Sequence, residues 1–270
     1  MTKTLLGTIT VFFLGGLSPT FGAPVLFMAD GETNAIYTVD VNSGAASLVG
    51  PMGFESGFVG LGYDSLEGDL LMTSSINGNS PGASVLYRVN QQSGAANQIG
   101  NTGIANLTGL AFDPNRQTMF GGSGNNDALY SINTNTGATT LVGSFGVNVG
   151  GHGLAYASDT DTLLMTDFAT DTLYSVNPDT GVATSIGATL KTGVVALAFD
   201  HETSTLYGVD ANSDELLRFN RDTGLATPIG FLGVDVFNVG LAFTTTVVPE
   251  PTSFFFCCSI GWLSLMRRRR

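Results

Sequence analysis

The sequence predicts an all-β fold, a five-bladed β-propeller with four-stranded blades, and three observations carry that reading. A five-residue phrase, GLGYD at Gly60, recurs as GLAFD at Gly109, GLAYA at Gly153, ALAFD at Ala196 and GLAFT at Gly240. Between copies lie apolar runs of four to six residues bounded by Gly, Asn, Asp or Ser, the punctuation of strands and hairpins. No stretch of the repeat region shows a 3.6-residue periodicity. Four strands per unit of about 44 residues is the spacing of a propeller blade.

Taken in chain order, residues 1–22 read as a secretory signal peptide. Lys3 gives the positive start, LLGTITVFFLGGL the apolar stretch and SPTFGA the small residues near a cut. Cleavage after Gly22 suits signal peptidase better than cleavage after Ala23, which would set Pro24 beside the scissile bond.

Residues 23–246 are the repeat region. It opens on a second phrase, VLFMAD, repeated as DLLMTS, TMFGGS, TLLMTD and TLYGVD. A third phrase follows as IYTVD, LYRVN, LYSIN, LYSVN and LLRFN, each running into a turn that ends in Gly44, Gly94, Gly137, Gly181 or Gly224. Those glycines suit hairpins that need a positive φ. A fourth phrase closes each unit: ASLVG, ANQIG, TTLVG, TSIG and TPIG. The region begins on the second phrase at Val25 and ends on a lone first phrase at Gly240. One blade is therefore split between the two ends of the region, which closes a ring and protects its edges. A stacked β-solenoid would not explain that split.

Residues 247–270 form the tail. Its apolar part, Thr252 to Met266, spans 15 residues. As a helix it would reach about 22 Å, short of the roughly 30 Å hydrocarbon core of a bilayer. Arg267, Arg268, Arg269 and Arg270 would stay cytoplasmic by the positive-inside rule, leaving the repeat region outside. Pro249, Glu250 and Pro251 before the apolar segment, with the arginine cluster after it, resemble a PEP-CTERM sorting signal. The resemblance implies recognition by an exosortase in a Gram-negative bacterium and delivery to the cell surface. It covers residues 247–270 only, and the FFFCCS run is more aromatic and Cys-rich than usual there. The repeats GLAFDPNRQTMFGGS and ALAFDHETSTLYGVD resemble the YVTN-type and NHL-type propeller families. That likeness places GLAFD innermost, although those families usually have six or seven blades.

Charged residues make up only 12% of the chain. Residues 30–250 hold all 22 acidic and five basic residues, a net charge of −17. Such a body excludes nucleic acid as a partner and suits cations or cationic partners. Both cysteines, Cys257 and Cys258, lie in the tail, so the repeat region has no disulfide or thiolate metal site. Neither His152 nor His201 has metal-ligand spacing. His152 sits just before an innermost strand, where it could face the central channel, while His201 lies in a solvated turn. The second strands end on Asp30, Ser74, Ser123, Asp167 and Asp210. Each side chain can cap its own turn, or Asp30, Asp167 and Asp210 together could hold Ca²⁺.

The connections into the innermost strands carry Phe54, Phe145 and Phe237 with Asn106, Asn148 and Asn238. These suit a sugar or peptide platform or packing between blades. The insertion SSINGNSPGAS in the second unit would lengthen one edge of that face. No nucleophile–base pair is singled out. The expected function is a surface-sorted binding or structural module with a polysaccharide or surface-protein ligand. A lactonase-like hydrolase or lyase with a carboxylate–metal channel site, or a passive coat protein, are the alternatives.

Overall fold

The computed structural model describes residues 24–75 and 82–244. All of them belong to one compact unit. The expected leader, the sorting tail with its short hydrophobic helix, and residues 76–81 of the insertion lie outside the described residues.

Five antiparallel four-stranded sheets form, one per repeat. Blade 1 contains β1 (Val25–Asp30), β2 (Ala35–Val39) and β3 (Ala46–Pro51). Blade 2 is β4 (Val59–Asp64), β5 (Asp69–Ser74), β6 (Val85–Val89) and β7 (Ala96–Asn101). Blade 3 is β8 (Leu107–Asp113), β9 (Thr118–Ser123), β10 (Ala128–Ile132) and β11 (Thr139–Ser144). Blade 4 is β12 (Leu154–Ala157), β13 (Thr162–Asp167), β14 (Thr172–Val176) and β15 (Ala183–Ala188). Blade 5 is β16 (Val194–Asp200), β17 (Thr205–Asp210), β18 (Glu215–Phe219) and β19 (Ala226–Phe231). The last strand, β20 (Val239–Thr244), pairs with β1 from Val25↔Thr244 to Asp30↔Val239. The split blade is therefore closed by hydrogen bonds between the two ends of the region, as the repeat register requires.

The alternation along each strand feeds two cores. In β1, Leu26 and Met28 pack toward blade 5, while Phe27 and Ala29 pack toward blade 2. Every blade behaves this way, so five apolar cores lie at the five blade interfaces. The innermost strands obey a stricter rule. Leu61, Leu110, Leu154, Leu197 and Leu241 each pack into the core shared with the preceding blade. Each leucine is at most 2% exposed, a burial that stabilises by about 1.5–3 kcal/mol. The small residues of the phrase meet the next blade's leucine. A Cβ on Gly62 would stand 3.0 Å from the Leu110 Cβ, and one on Gly109 would stand 2.8 Å from the Leu154 Cβ. Leu–Gly–Ala spacing thus lets five strands converge without a gap.

A second set of close approaches encircles the rim. Each fourth-strand glycine lies against the hairpin glycine of the next blade: Gly50 on Gly94, Gly100 on Gly137, Gly143 on Gly181, Gly187 on Gly224, and Gly230 on Gly44. A methyl on either member would overlap backbone of the other. The hairpin members also have φ between 75° and 83°, as the turn reading expects. Adjacent blades share backbone bonds here, such as Ala96 N–H to the Met52 carbonyl (3.0 Å) and Ala183 N–H to the Phe145 carbonyl (2.9 Å). The third–fourth hairpins are capped in all five blades. Asp40, Asn90, Asn133, Asn177 and Asn220 accept two backbone N–H bonds each through Oδ1, at 2.8–3.0 Å.

Substituting Gly153→Ala tests the crowding at the axis. The new methyl would lie 2.5 Å from the Ala196 carbonyl carbon, with no flexible side chain to move aside. The expected loss is about 2–3 kcal/mol, read as a lower thermal midpoint. Gly82→Ala, which meets nothing within 4 Å, should leave the midpoint unchanged. Equal midpoints for both variants would refute the packing rule.

Candidate functional site

The propeller has two unlike faces. One carries the second–third hairpins and the connections between blades. The other carries the tight first–second and third–fourth turns. The connections are long and must be tied down, and the sequence places a polar residue to do so at the end of each second strand.

Asp30, Ser74, Ser123, Asp167 and Asp210 are all at most 3% exposed. Asp30 Oδ2 accepts the Thr33 N–H (2.9 Å) and hydroxyl (2.6 Å), and its Oδ1 accepts the Phe237 N–H at 3.4 Å. Asp167 Oδ2 accepts the Thr170 N–H (3.0 Å) and hydroxyl (2.7 Å), and its Oδ1 accepts the Gly150 N–H at 2.7 Å. Asp210 Oδ1 accepts the Asn212 N–H at 3.0 Å, and Lys191 Nζ lies 3.6 Å from its Oδ2. Ser123 donates to the Ala105 carbonyl at 2.9 Å. The three aspartates cap their own turns, and Asp30, Asp167 and the two serines also hold the connection entering the innermost strand of their own blade. The three carboxylates sit in three different blades. Among the described residues no three His, Cys, Asp or Glu side chains group as metal ligands, so this donor set does not fit a single Ca²⁺.

A second tier of ties escaped the sequence reading. Asn34, Asp127 and Asp214 stand four residues after the second strand ends, each in left-handed backbone at φ 48–54°. Asn34 Oδ1 accepts the Ser56 N–H (2.5 Å), Asp127 Oδ1 that of Val149 (2.8 Å), and Asp214 Oδ1 that of Val236 (3.0 Å). The signal was an Asn or Asp directly before the third strand in blades 1, 3, 4 and 5, a residue type that tolerates positive φ.

Held this way, the connections ring an axial recess of about 290 Å³ to which all five blades contribute. Phe58, Phe168 and Phe237 supply its aromatic surface, with Asn212, Asn238 and Thr108 as polar groups. Phe168 and Phe237 are 42% and 56% exposed, a large apolar area to leave in water. The expected platform is thus only partly brought together. Phe237 and Asn238 line the recess, whereas Phe54 stacks on Tyr87 at 4.5 Å and Phe145 is fully buried. Asn106 instead donates to Asn125 Oδ1 at 3.3 Å, and Asn148 is exposed without lining the recess. Phe168 had a legible signal: Asp30, Ser123 and Asp210 are followed by Gly31, Gly124 and Ala211, but Asp167 by phenylalanine. Below the recess the axis is narrow. Gly62, Leu110, Leu154, Leu197 and Leu241 are among the residues that line a space of only about 40 Å³ there.

His152 borders the recess, but its ring turns away from the axis. The imidazole lies over Gly122 on β9 and Gly109 on β8, wedged between blades 3 and 4, with Phe145 edge-on at 6.0 Å. It is 1% exposed, and neither ring nitrogen has a hydrogen-bond partner. Desolvation holds its pKa below the ordinary histidine value. The nearby Gly150 and Gly122 backbone and the Asp167 and Asp127 carboxylates oppose the shift without reversing it. His201, on the opposite face, keeps solvent exposure and meets the Ser158 hydroxyl at 2.8 Å.

The turn face is built from charge. Arg116 of blade 3 donates to Asp113 (2.7 Å) within its own turn and to Asp161 (2.5 Å) and Asp179 (2.9 Å) of blade 4. Asp161 also accepts the Tyr156 hydroxyl at 2.8 Å, and these bonds, Arg116 first, lower its pKa. Arg221 of blade 5 clamps Asp159 of blade 4 at 2.6 Å, with its guanidinium 5.0 Å above the Phe199 ring.

The buried imidazole gives the stability a pH dependence whose sign follows from linkage. The folded pKa lies below the unfolded value of about 6.5, so the unfolded chain binds the extra proton. The contribution is complete above about pH 6.5 and falls as pH drops toward the folded pKa, by at most about 1.4 kcal/mol per pH unit. Denaturant titrations between pH 7 and pH 5 should show a flatter decline for His152→Asn than for the parent protein. Identical slopes would contradict an unpartnered neutral imidazole.

No known family model matches the sequence, and no curated protein matches it. Solved structures share the fold. A structural-genomics protein of unknown function from Bacteroides thetaiotaomicron is 17% identical with a TM-score of 0.55, over 83% of this chain and 64% of that one. A chain of a nidogen–laminin complex is 16% identical with a TM-score of 0.55, over 78% and 79%. Regucalcin, a calcium-binding protein from Agrobacterium tumefaciens, is 15% identical with a TM-score of 0.50, over 78% and 73%. At these identities the likeness is one of fold, and the chain is a β-propeller.

Proposed function

We propose that this propeller is exported, sorted to the cell surface through Pro249-Glu250-Pro251 and the terminal arginines, and processed there by an exosortase. At the surface it acts as a binding module for a polysaccharide or surface-protein ligand. The axial recess carries the reading. It is concave, built by all five blades, and combines exposed Phe168 and Phe237 with the amides of Asn212 and Asn238. Aromatic faces receive the C–H surface of a sugar ring, and side-chain amides both donate to and accept from its hydroxyls. Among the described residues no ionised group lines the recess, which suits a neutral ligand. A volume of about 290 Å³ matches the small end of ligand pockets.

The recess also favours binding over catalysis. Among the described residues its polar side chains are amides and a hydroxyl, the nearby imidazole of His152 faces away, and the axis below is narrow. The acidic body suits an exterior role without nucleic acid or anionic lipid as partner.

Two measurements test the reading. On an array of neutral and charged glycans, the full-length protein should retain neutral polysaccharides, with at least fivefold weaker retention for Phe237→Ala. Equal retention by the variant would remove the recess as the site. Retention of no glycan and no surface protein would remove the binding role. Intact mass of protein recovered from the cell surface should begin at Ala23 and end near Pro249–Pro251, and a mass that includes the four arginines would refute processing.

A further inference from the structure

The turn face repeats one construction at its blade interfaces, and at one interface the construction is incomplete. The innermost strands of blades 2, 3 and 5 end in an aspartate, Asp64, Asp113 or Asp200. In each, Oδ1 accepts the N–H groups two and three residues ahead. The second oxygen is filled by the residue three positions on. Arg116 donates to Asp113 Oδ2 at 2.7 Å, and the Thr203 hydroxyl donates to Asp200 Oδ2 at 2.7 Å. In blade 2 that position is Glu67, which has no proton to give at neutral pH. Asp64 Oδ2 accepts no hydrogen bond among the described residues, although the residue is only 5% exposed.

Asp64 borders a groove of about 340 Å³ between blades 2 and 3. Met119 and Ile132 give the groove its apolar lining, and Gln117, Ser131, Asn135 and Thr140 its polar lining. At the next interface round the ring, the corresponding space is closed by the Arg116 guanidinium, which ties Asp113 to Asp161 and Asp179 of blade 4. At the interface after that, Arg221 and Asp159 close it. The fold thus displays twice, with its own side chains, what chemistry bridges such a groove.

We propose that the groove between blades 2 and 3 is a binding site for an arginine side chain of a partner polypeptide, with Asp64 Oδ2 as its charged acceptor. The guanidinium donates to Asp64 in the manner of Arg116 to Asp113, and the side-chain oxygens of Asn135 and Gln117 offer further acceptors. The aliphatic stem lies on Met119 and Ile132, as long cationic side chains commonly cover apolar surface. Arginine suits the site better than lysine because its planar donors can reach two walls at once. The net charge of −17 over residues 30–250 steers such a partner toward the propeller.

The test is anisotropy of a fluorescent Gly-Arg-Gly-Arg-Gly peptide titrated with the full-length protein, beside the same peptide carrying citrulline for arginine. Asp64→Asn keeps the turn cap but removes the charge, and should weaken binding at least tenfold. Asp222→Asn removes an exposed charge from a distant turn of blade 5 and should change it less than twofold. Glu67→Arg should supply the missing guanidinium in cis, abolishing peptide binding while raising the melting temperature. Four results would each overturn the proposal: equal losses for Asp64→Asn and Asp222→Asn, unchanged binding in Glu67→Arg, citrulline peptide binding as tightly as arginine, or Asp64-dependent binding of a chitosan oligomer with none of the peptide.

Discussion

Five β-strands must meet at one axis, and the space there does not allow five ordinary strands. Everything else in the molecule follows from how that crowding is resolved. Leucine on one side of each innermost strand and glycine or alanine on the other let neighbouring backbones approach until a methyl group would collide. The result is a narrow centre with only about 40 Å³ of space between the strands. The two faces of the disk, where the strands end, solve different problems.

The connection face has slack to remove. Blade-to-blade connections are fixed from both sides: Asp127 and Asp214 reach from the hairpin of the blade before, and Asp30 and Asp167 from that of the blade after. Burying these carboxylates costs desolvation that their multiple N–H bonds offset. A recess built from such pinned loops is shaped before any ligand arrives, which lowers the ordering cost of binding. The turn face has no slack, and its variation lies in charge. There, replacing one residue at a fixed position, arginine in blade 3 and glutamate in blade 2, decides whether an interface is clamped or open.

Much of this was legible in the sequence. The repeat phrases gave strand number, blade number and the split blade, because hairpin turns and alternation are local properties. The hairpin glycines were legible for their backbone angles. The glycines that end the fourth strands, Gly50 through Gly230, were not, since their partner lies in the next blade and no local pattern names it. The second-strand aspartates were found, and their capping role follows from residue type. That Asp30 and Asp167 also hold the connection entering their own blade could not be read, because it depends on contacts distant in sequence. His152 was placed correctly in the chain, but its ring direction is set by packing against Gly122 and Gly109. Phe58 was missed because a single aromatic in a connection carries no periodic signal, whereas Phe168 stood out only against the small residues at the equivalent positions of other blades. The terminal segments were read from composition and order alone, and they lie outside the described residues.

The pairing of β1 with β20 also sets a timetable. Residues 25 and 244 must find each other across the whole intervening chain, so this is the slowest contact to form entropically, about (3/2)RT ln n for a loop of n residues. Blades 2 to 5 can assemble from local hairpins as the chain emerges N-terminus first, but blade 1 has only three of its strands until the last has emerged. Its inner edge stays unpaired until then, and Phe27, Ala29 and Met28 lack their covering strand. The disk is thus an order-of-arrival device: closure marks the moment when residues 239–244 have emerged and reached β1.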